Sequence, residues 1–402
     1  MANEEPLIFE GLKVIDAGSW IAGPVAATIL ADFGASVIKV ENPGSGDGYR
    51  RMAQGLQYPK TDVNYSWIAD ARNKRSLSLN LKSEEGKAIL QRLVRECDVY
   101  VTNQPPPLRQ ALGLTYADLA PLNPRMIYAS LTAYGETGPD SGLEGFDAVT
   151  YWARSGLMDQ VRVTDAMPGG SVPGQGDHPS AVSLYAAIVT ALIRRERTGK
   201  GSEVHTSLLH NGVWSNACYT QAALVGADFT RRNPIVSPNR SLYETSDGRL
   251  LQLYMVRTQD EVDRLLLAAG RDDLLADVRF QEPAKRMANA AAFIEELRGM
   301  FRTKTAKEWI TLFRETDVPV TFVAIMDDVP NDVQLIANGA FVKPTDPSVP
   351  ASLVINHPVN ITGMPVAGPK AAPELGQHTD EILAEMGFSA AEIAGLRDRS
   401  VV

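Results

Sequence analysis

Residues 173–180 read Pro-Gly-Gln-Gly-Asp-His-Pro-Ser and run directly into an apolar helical stretch. Asp177 stands there between a pair of upstream glycines and the start of the helix, with Pro179 suited to the first turn. A helix N-terminus carries partial positive charge and unpaired N–H groups. A carboxylate at that point is expected to stay ionised, and an ionised carboxylate can act as a nucleophile. Gly174 and Gly176 let backbone come close and can present N–H groups to a developing oxyanion. The same pattern has a plainer reading, because Asp shortly before Pro at a helix start is a common N-cap. The two readings are compatible, since a capping position also tunes the acid.

Basic residues are the second chemical feature. Arg72, Lys74 and Arg75 cluster within residues 72–76, with Lys39 at the end of a preceding strand. A phosphate-rich ligand needs such a local concentration of charge, although a Lys-Arg pair on a turn is more often simply solvated. The five histidines, His178, His205, His210, His357 and His378, form no HxH or HExxH pattern, so no metal is assigned. His205 and His210 read as structural residues. Trp20, Trp152 and Trp214 have the character of pocket walls, but tryptophan more often fills a core. Cys97 and Cys218 lie far apart in apolar stretches and belong to no CxxC pair, which argues against a disulfide scaffold or a thiolate metal site.

These residues must be carried by a sizeable fold. The chain has 402 residues, enough for two domains with separate cores. Its formal net charge of −9 argues against broad nucleic-acid binding while leaving room for a local anion site. No signal peptide is visible, and the longest apolar run, residues 181–193, is too short to span a bilayer. A cytoplasmic enzyme with no membrane or nucleic-acid partner is expected.

Strand-like and helix-like segments alternate through the first part. Strands are expected near residues 12–16, 36–41, 77–81, 98–101, 126–131 and 204–209, and helices near 24–33, 83–97, 116–122 and 180–197. Such alternation implies an α/β, Rossmann-like large domain with a parallel sheet. No GxGxxG follows the first strand, so a dinucleotide site is not supported. Residues 135–176 are rich in Gly and Pro, the kind of long loop that often holds a site. Near Phe229 the texture changes. A polar stretch at 233–238 leads to a hairpin over 243–254 with Asp247-Gly248 at its turn, then helices near 258–269, 290–301 and 306–316. The expected organisation is a large domain over 1–225 carrying Asp177, a smaller α+β domain over 226–335, and a segment over 336–402 that returns to the large domain and ends in a helix-turn-helix at 379–396.

Several pieces, in order, resemble the family III CoA-transferases, which include formyl-CoA and carnitine CoA-transferases and the related acyl-CoA racemases. They are Leu12-Lys13-Val14-Ile15-Asp16, Ala22-Gly23-Pro24, residues 30–41, Gly46-Asp47 and Asn73-Lys74-Arg75-Ser76. Asn123-Pro124-Arg125, residues 134–139, Gly145-Phe146-Asp147, residues 197–201 and residues 375–380 follow. The resemblance implies a CoA-transferase that moves CoA from an acyl-CoA to a free carboxylic acid, with Asp177 as nucleophile. It also implies a homodimer of two chains interlocked like linked rings. No permanently bound cofactor or metal is implied; coenzyme A and acyl-CoA are substrates.

The resemblance further implies substrate or CoA contacts. Ile21 and Ala22 fall where the family lines the site entrance, and Lys74 and Arg75 fall in its nucleotide-side motif. Tyr134 falls in the loop near the thioester, and Gly176 and His178 flank the nucleophile. Asn103 matches the Asn of the usual Asn-Phe-Arg-Pro-Gly motif, but this chain continues Gln104-Pro105-Pro106-Pro107, so Arg109 is the expected substitute for the missing Arg. The alternatives are an acyl-CoA racemase or epimerase and a noncatalytic CoA-binding relative. Racemases carry a His where this chain has Phe146, which cannot transfer a proton, and retention of Asp177 counts against a noncatalytic role. The glycine-rich closing loop of formyl-CoA transferase has no counterpart between residues 233 and 248. Residues 151–156 and 176–178 are similar to those of transferases acting on 2-hydroxy or aryl acids.

Overall fold

Six short strands form one sheet: β1 (Lys13–Asp16), β2 (Ser36–Glu41), β3 (Lys74–Ser78), β4 (Val99–Thr102), β5 (Ile127–Thr132) and β6 (Ser202–Ser207). Their order is β3-β2-β1-β4-β5-β6 and every pair is parallel. The computed structural model describes residues 5–162, 166–229, 237–253 and 258–402. β4 and β5 are buried along their whole length, as strands covered on both faces must be. One face is covered by α1 (Ala22–Asp32) and, further along the chain, the other by α3 (Glu84–Val94); between them in sequence lies α2 (Tyr65–Ala71). α3 is an amphipathic helix capped by Ser83, whose side chain accepts from the Gly86 N–H. α4 (Asp177–Thr198) joins α1 on the first face, followed by α5 (Leu208–Ser215) and α6 (Ala217–Leu224). The strand order reverses between β1 and β4, which opens a crevice at the carboxyl ends of the sheet, the usual place for a ligand in such a fold.

One strand starts earlier than expected, with consequences for the basic cluster. β3 begins at Lys74 rather than near residue 77, in register with β2 at Val37↔Lys74. Lys74 and Arg75 are therefore strand residues pointing to opposite faces, not members of a surface turn. Lys74 Nζ is fully buried, 2.8 Å from Asp16 Oδ2 and 2.6 Å from the Pro24 carbonyl.

Packing divides the chain into two units, Met1–Ala227 with Ala337–Val402, and Asp228–Ile336. In the second, β7 (Leu242–Glu244) and β8 (Leu250–Leu253) pair antiparallel, and Gly248 takes a φ of 74° in the turn between them. A third strand, β9 (Val320–Phe322), lies on β8. Its three residues are too short to show a period, which is why pattern reading missed it. The helices α7 (Gln259–Ala268), α8 (Ala290–Phe301) and α9 (Ala306–Glu315) supply most of a core built on Phe293, Phe301, Trp309 and Phe313. Capping boxes at Thr258/Glu261 and Thr305/Glu308 start two of them. Most of the polar stretch at 233–238, and Tyr254 at the end of the expected hairpin, lie outside the described residues.

After residue 337 the chain pads the free edge of β3. The His378 N–H donates to the Ser76 carbonyl at 3.0 Å, the Ser76 N–H to His378 Nδ1 at 3.2 Å, and the Ser78 N–H to Thr379 Oγ1 at 3.0 Å. α10 (Thr379–Glu385) and α11 (Ala390–Asp398) follow, packed with α3 on the second face. No helix among the described residues is long and apolar enough to cross a membrane.

Candidate active site

Asp177 is the first residue of α4, and it does not cap the helix. Gly176 occupies the N-cap position, with no side-chain capping bond. The capping role passes to Asp147: its Oδ2 accepts from the Gly176 N–H at 2.9 Å and its Oδ1 from the Ala148 N–H at 2.7 Å. With that N–H taken, the helix begins three residues before the expected start and the Asp177 carboxyl is left facing open space. Two cavities border it, one of about 1110 Å³ and one of about 230 Å³.

The expectation that Asp177 simply stays ionised is corrected. Its pKa is pushed up to about 7, first by burial and then by the Asp147 carboxylate, with Asp70 adding to the rise and His178 opposing it. Desolvation and like charge outweigh the helix N-terminus. A carboxylate near its midpoint at neutral pH is a functional-site signature with a stated cause.

The glycines before Asp177 are fixed by what surrounds them. Gly174 has a φ of 76°, and a Cβ there would lie 2.7 Å from the His178 ring. A Cβ on Gly176 would overlap the Tyr151 ring, which sits in a π-helical turn over Ala148–Arg154.

His178 is half-exposed and held at both ring nitrogens. Nδ1 lies 3.0 Å from the Gly174 carbonyl and Nε2 3.1 Å from Asp70 Oδ1. Both ring nitrogens face oxygen acceptors, an arrangement that suits the doubly protonated ring. Burial alone would lower its pKa, but the hydrogen bond and charge of Asp70 reverse that and raise it to about 9. Asp70, on α2, is itself held by the Tyr49 hydroxyl, which donates to Oδ2 at 2.5 Å. The site therefore sets a fixed cation beside the carboxylate.

A buried charge cluster positions the wall opposite. Lys39 Nζ lies 2.9 Å from Asp47 Oδ2 and 3.7 Å from Asp16 Oδ2, and donates to the Gly18 carbonyl. Asp47 Oδ1 accepts from the N–H groups of Trp20 and Tyr49, each at 2.9 Å. Trp20 is held at a φ of 64°, a strained conformation for a bulky residue and one worth relating to function.

The expected contact residues fare unequally. Ile21 lines the larger cavity with His178, and Ala22 and Asn103 line the smaller one. Asn103 bonds the Ser19 backbone from both sides, accepting from its N–H at 2.8 Å and donating to its carbonyl at 2.6 Å, and so shapes the turn before Trp20. Gly176 is buried beneath the site. Lys74, Arg75, Arg109 and Tyr134 line neither cavity. Lys74 has its charge committed to Asp16 inside the fold. Arg75 lies on the opposite face, paired with Glu381 at 2.8 Å and Glu385 at 2.7 Å. Arg109 is buried, with Nη2 2.6 Å from Glu136 and Nη1 3.3 Å from the Tyr128 hydroxyl. The Arg154 guanidinium covers the Tyr134 ring at 5.0 Å. Of the three tryptophans singled out, Trp20 lines both cavities, Trp152 donates to the Gly169 carbonyl at 3.0 Å, and Trp214 is exposed on α5.

Sequence reasoning missed Asp147, Asp70 and Tyr49 as site residues. Gly145-Phe146-Asp147 carried a usable signal, because the motif was already in view; Tyr49 and Asp70 carried none, being brought together only by the fold. Among the described residues no group of three or more His, Cys, Asp or Glu side chains gathers as a metal site.

The model of CoA-transferase family III matches residues 9–379. The chain is 31% identical over 399 residues to the (R)-2-hydroxy-4-methylpentanoate CoA-transferase of Clostridioides difficile, covering 98% of this chain and 100% of that one. It is 32% identical over 405 residues to the cinnamoyl-CoA:phenyllactate CoA-transferase of Clostridium sporogenes, covering 98% and 97%. A crystal structure of a CaiB/BaiF family protein from Brucella suis superposes with a TM-score of 0.84 at 27% identity, covering 95% of this chain and all of that one.

Proposed function

The chain belongs to CoA-transferase family III, and from that premise we propose that it transfers CoA through covalent intermediates on Asp177. The observation that carries this reading is the Asp177 carboxyl, unengaged as a cap, near its ionisation midpoint and open to both cavities.

The ionised carboxylate attacks the donor thioester carbonyl and expels CoA thiolate, giving a mixed anhydride. The thiolate attacks the aspartyl carbonyl, displacing the donor acid and leaving an aspartyl-CoA thioester. The acceptor carboxylate attacks that thioester and releases the thiolate again. The thiolate then attacks the new acyl group, forming the product acyl-CoA and restoring Asp177. No step requires net proton transfer, so the site needs a fixed positive charge more than an acid-base shuttle. His178, a locked imidazolium, suits that part by favouring the ionised nucleophile. The thiol end of CoA is proposed to approach past Ala22 and Asn103, and the acyl group to occupy the cavity beside His178.

We also propose a homodimer. α6 buries none of its residues, and Trp214, Leu224 and Val225 are each more than 70% exposed. An apolar surface of that kind on a soluble chain marks an interface, and the occupant proposed is a second copy.

Incubating the protein with an acyl-CoA and hydroxylamine, followed by peptide mass mapping, is expected to place a hydroxamate on Asp177. Asp177→Ala should lose transfer by a factor of at least about 10⁴ while keeping its fold. Full turnover by that variant, or a hydroxamate elsewhere, would sink the assignment.

A further inference from the structure

The cavities bordering Asp177 share a second feature. Trp20 and Phe146 line both, and their rings meet edge to face, 5.2 Å apart at 87°. Neither is buried as a core residue would be: Trp20 is 39% and Phe146 54% exposed. Trp20 reaches this position only through its left-handed backbone, held by Asp47, with its ring laid over Gly48. Strain kept at an exposed aromatic needs a return, and its place beside the nucleophile supplies one.

The charge around the site is one-sided. Apart from tyrosines, the ionisable side chains lining the larger cavity are Asp70, Asp147, Asp177 and His178. The smaller cavity adds Glu144. Among the described residues no Lys or Arg lines either cavity. The one cation, His178, has both ring N–H groups already taken. The buried lysines Lys39 and Lys74 are committed to Asp47 and Asp16 inside the fold. The remaining wall is apolar, with Ile21, Met52, Val63, Ile68, Leu353 and Ile355 among its residues.

We propose that the acid exchanged at Asp177 is an apolar monocarboxylate, branched or aryl, whose hydrocarbon end packs on the Trp20–Phe146 pair, and that the site rejects dicarboxylates. This rests on the transferase reading above. The reacting carboxylate becomes an anhydride with Asp177 and sheds its charge, but a second carboxylate would stay ionised beside Asp70 and Asp147, with no Lys or Arg among the described cavity-lining residues to pair it. A site whose fixed charges repel one substrate and whose apolar wall favours another discriminates between them. An alkyl branch or phenyl ring gains contact with two aromatic faces instead.

The test is a panel of acceptors with one acyl-CoA donor, comparing 4-methylpentanoate and 3-phenylpropanoate with succinate and glutarate. The expected kcat/KM favours the apolar acids by at least about 100-fold. Trp20→Ala and Phe146→Ala should narrow that ratio mainly by raising KM for the apolar acids. Leu353→Arg, at an exposed position of the larger cavity, should narrow it by at least about 10-fold by admitting the dicarboxylates. Transfer to succinate or glutarate that equals or exceeds transfer to the apolar acids overturns the proposal and leaves the transferase reading standing. If no pair supports transfer, that reading fails on its own. Titration of the Asp177→Ala variant with 3-phenylpropanoyl-CoA and glutaryl-CoA then decides the cavity. Tighter binding of the former by about 10-fold or more supports the inference, and equal binding overturns it.

Discussion

A carboxylate that attacks a thioester must be ionised when its substrate arrives, and here two groups control that. Asp177 titrates near 7 and His178 near 9. Activity should therefore rise as pH climbs through about 7, where the nucleophile ionises, and fall above about 9, where the imidazolium is lost. His178→Gln keeps a donor toward Asp70 but removes the charge. It should lower kcat/KM by about 10- to 100-fold, abolish the alkaline limb, and move the acid limb upward, because His178 opposes the rise in the Asp177 pKa. An acid limb that stays in place would show that the charge does not act on Asp177. Stability runs the opposite way to activity. A carboxyl whose folded pKa lies above its unfolded value favours the fold below the unfolded value, and that contribution is lost as pH rises through about 7. Asp177→Asn should thus melt higher than the natural chain at pH 8, with the gap shrinking toward pH 4 in a thermal-shift series.

At the scale of elements, the start of α4 and the turn after β1 are the two parts that must hold still. Gly176→Ala would drive a methyl into the Tyr151 ring and displace the helix start. Transfer should fall about 100-fold with secondary structure retained by circular dichroism. Asp47→Ala removes the acceptor for the Trp20 and Tyr49 N–H groups and strips a partner from buried Lys39. Urea unfolding should register a loss of about 3 kcal/mol. Both elements also show what could be read before the fold was known. The α4 stretch announced itself through Pro179 and its apolar run, and β2 and α8 were located to the residue. The boundary at Gly176 was not legible, because it is set by Asp147, some thirty residues away. The setting of Lys74 was hidden for a related reason: a Lys-Arg pair looks solvated unless a buried Asp16 waits across the sheet to receive one of them. Tyr49, Asp70 and His178 meet only after α2 has packed, and nothing in their spacing foretells it.

For the whole molecule, the proposed dimer makes its own prediction. Replacing Trp214 and Leu224 together by Glu should leave the monomer folded but shift sedimentation from two chains toward one. An unchanged sedimentation coefficient would place the interface elsewhere. The chain that returns after residue 337 has a consequence in time. β3 is an edge strand, and its open N–H and C=O groups are answered by His378 and Thr379, about 300 residues later. At a synthesis rate of about 5–20 residues per second, that edge stands bare for roughly 15–60 s. During that interval the newborn sheet can accept a strand from a neighbouring ribosome's product as readily as its own cover. Slowing growth by cooling, or supplying a chaperone that shields the edge, should therefore raise soluble yield more than any gain in the stability of the finished fold.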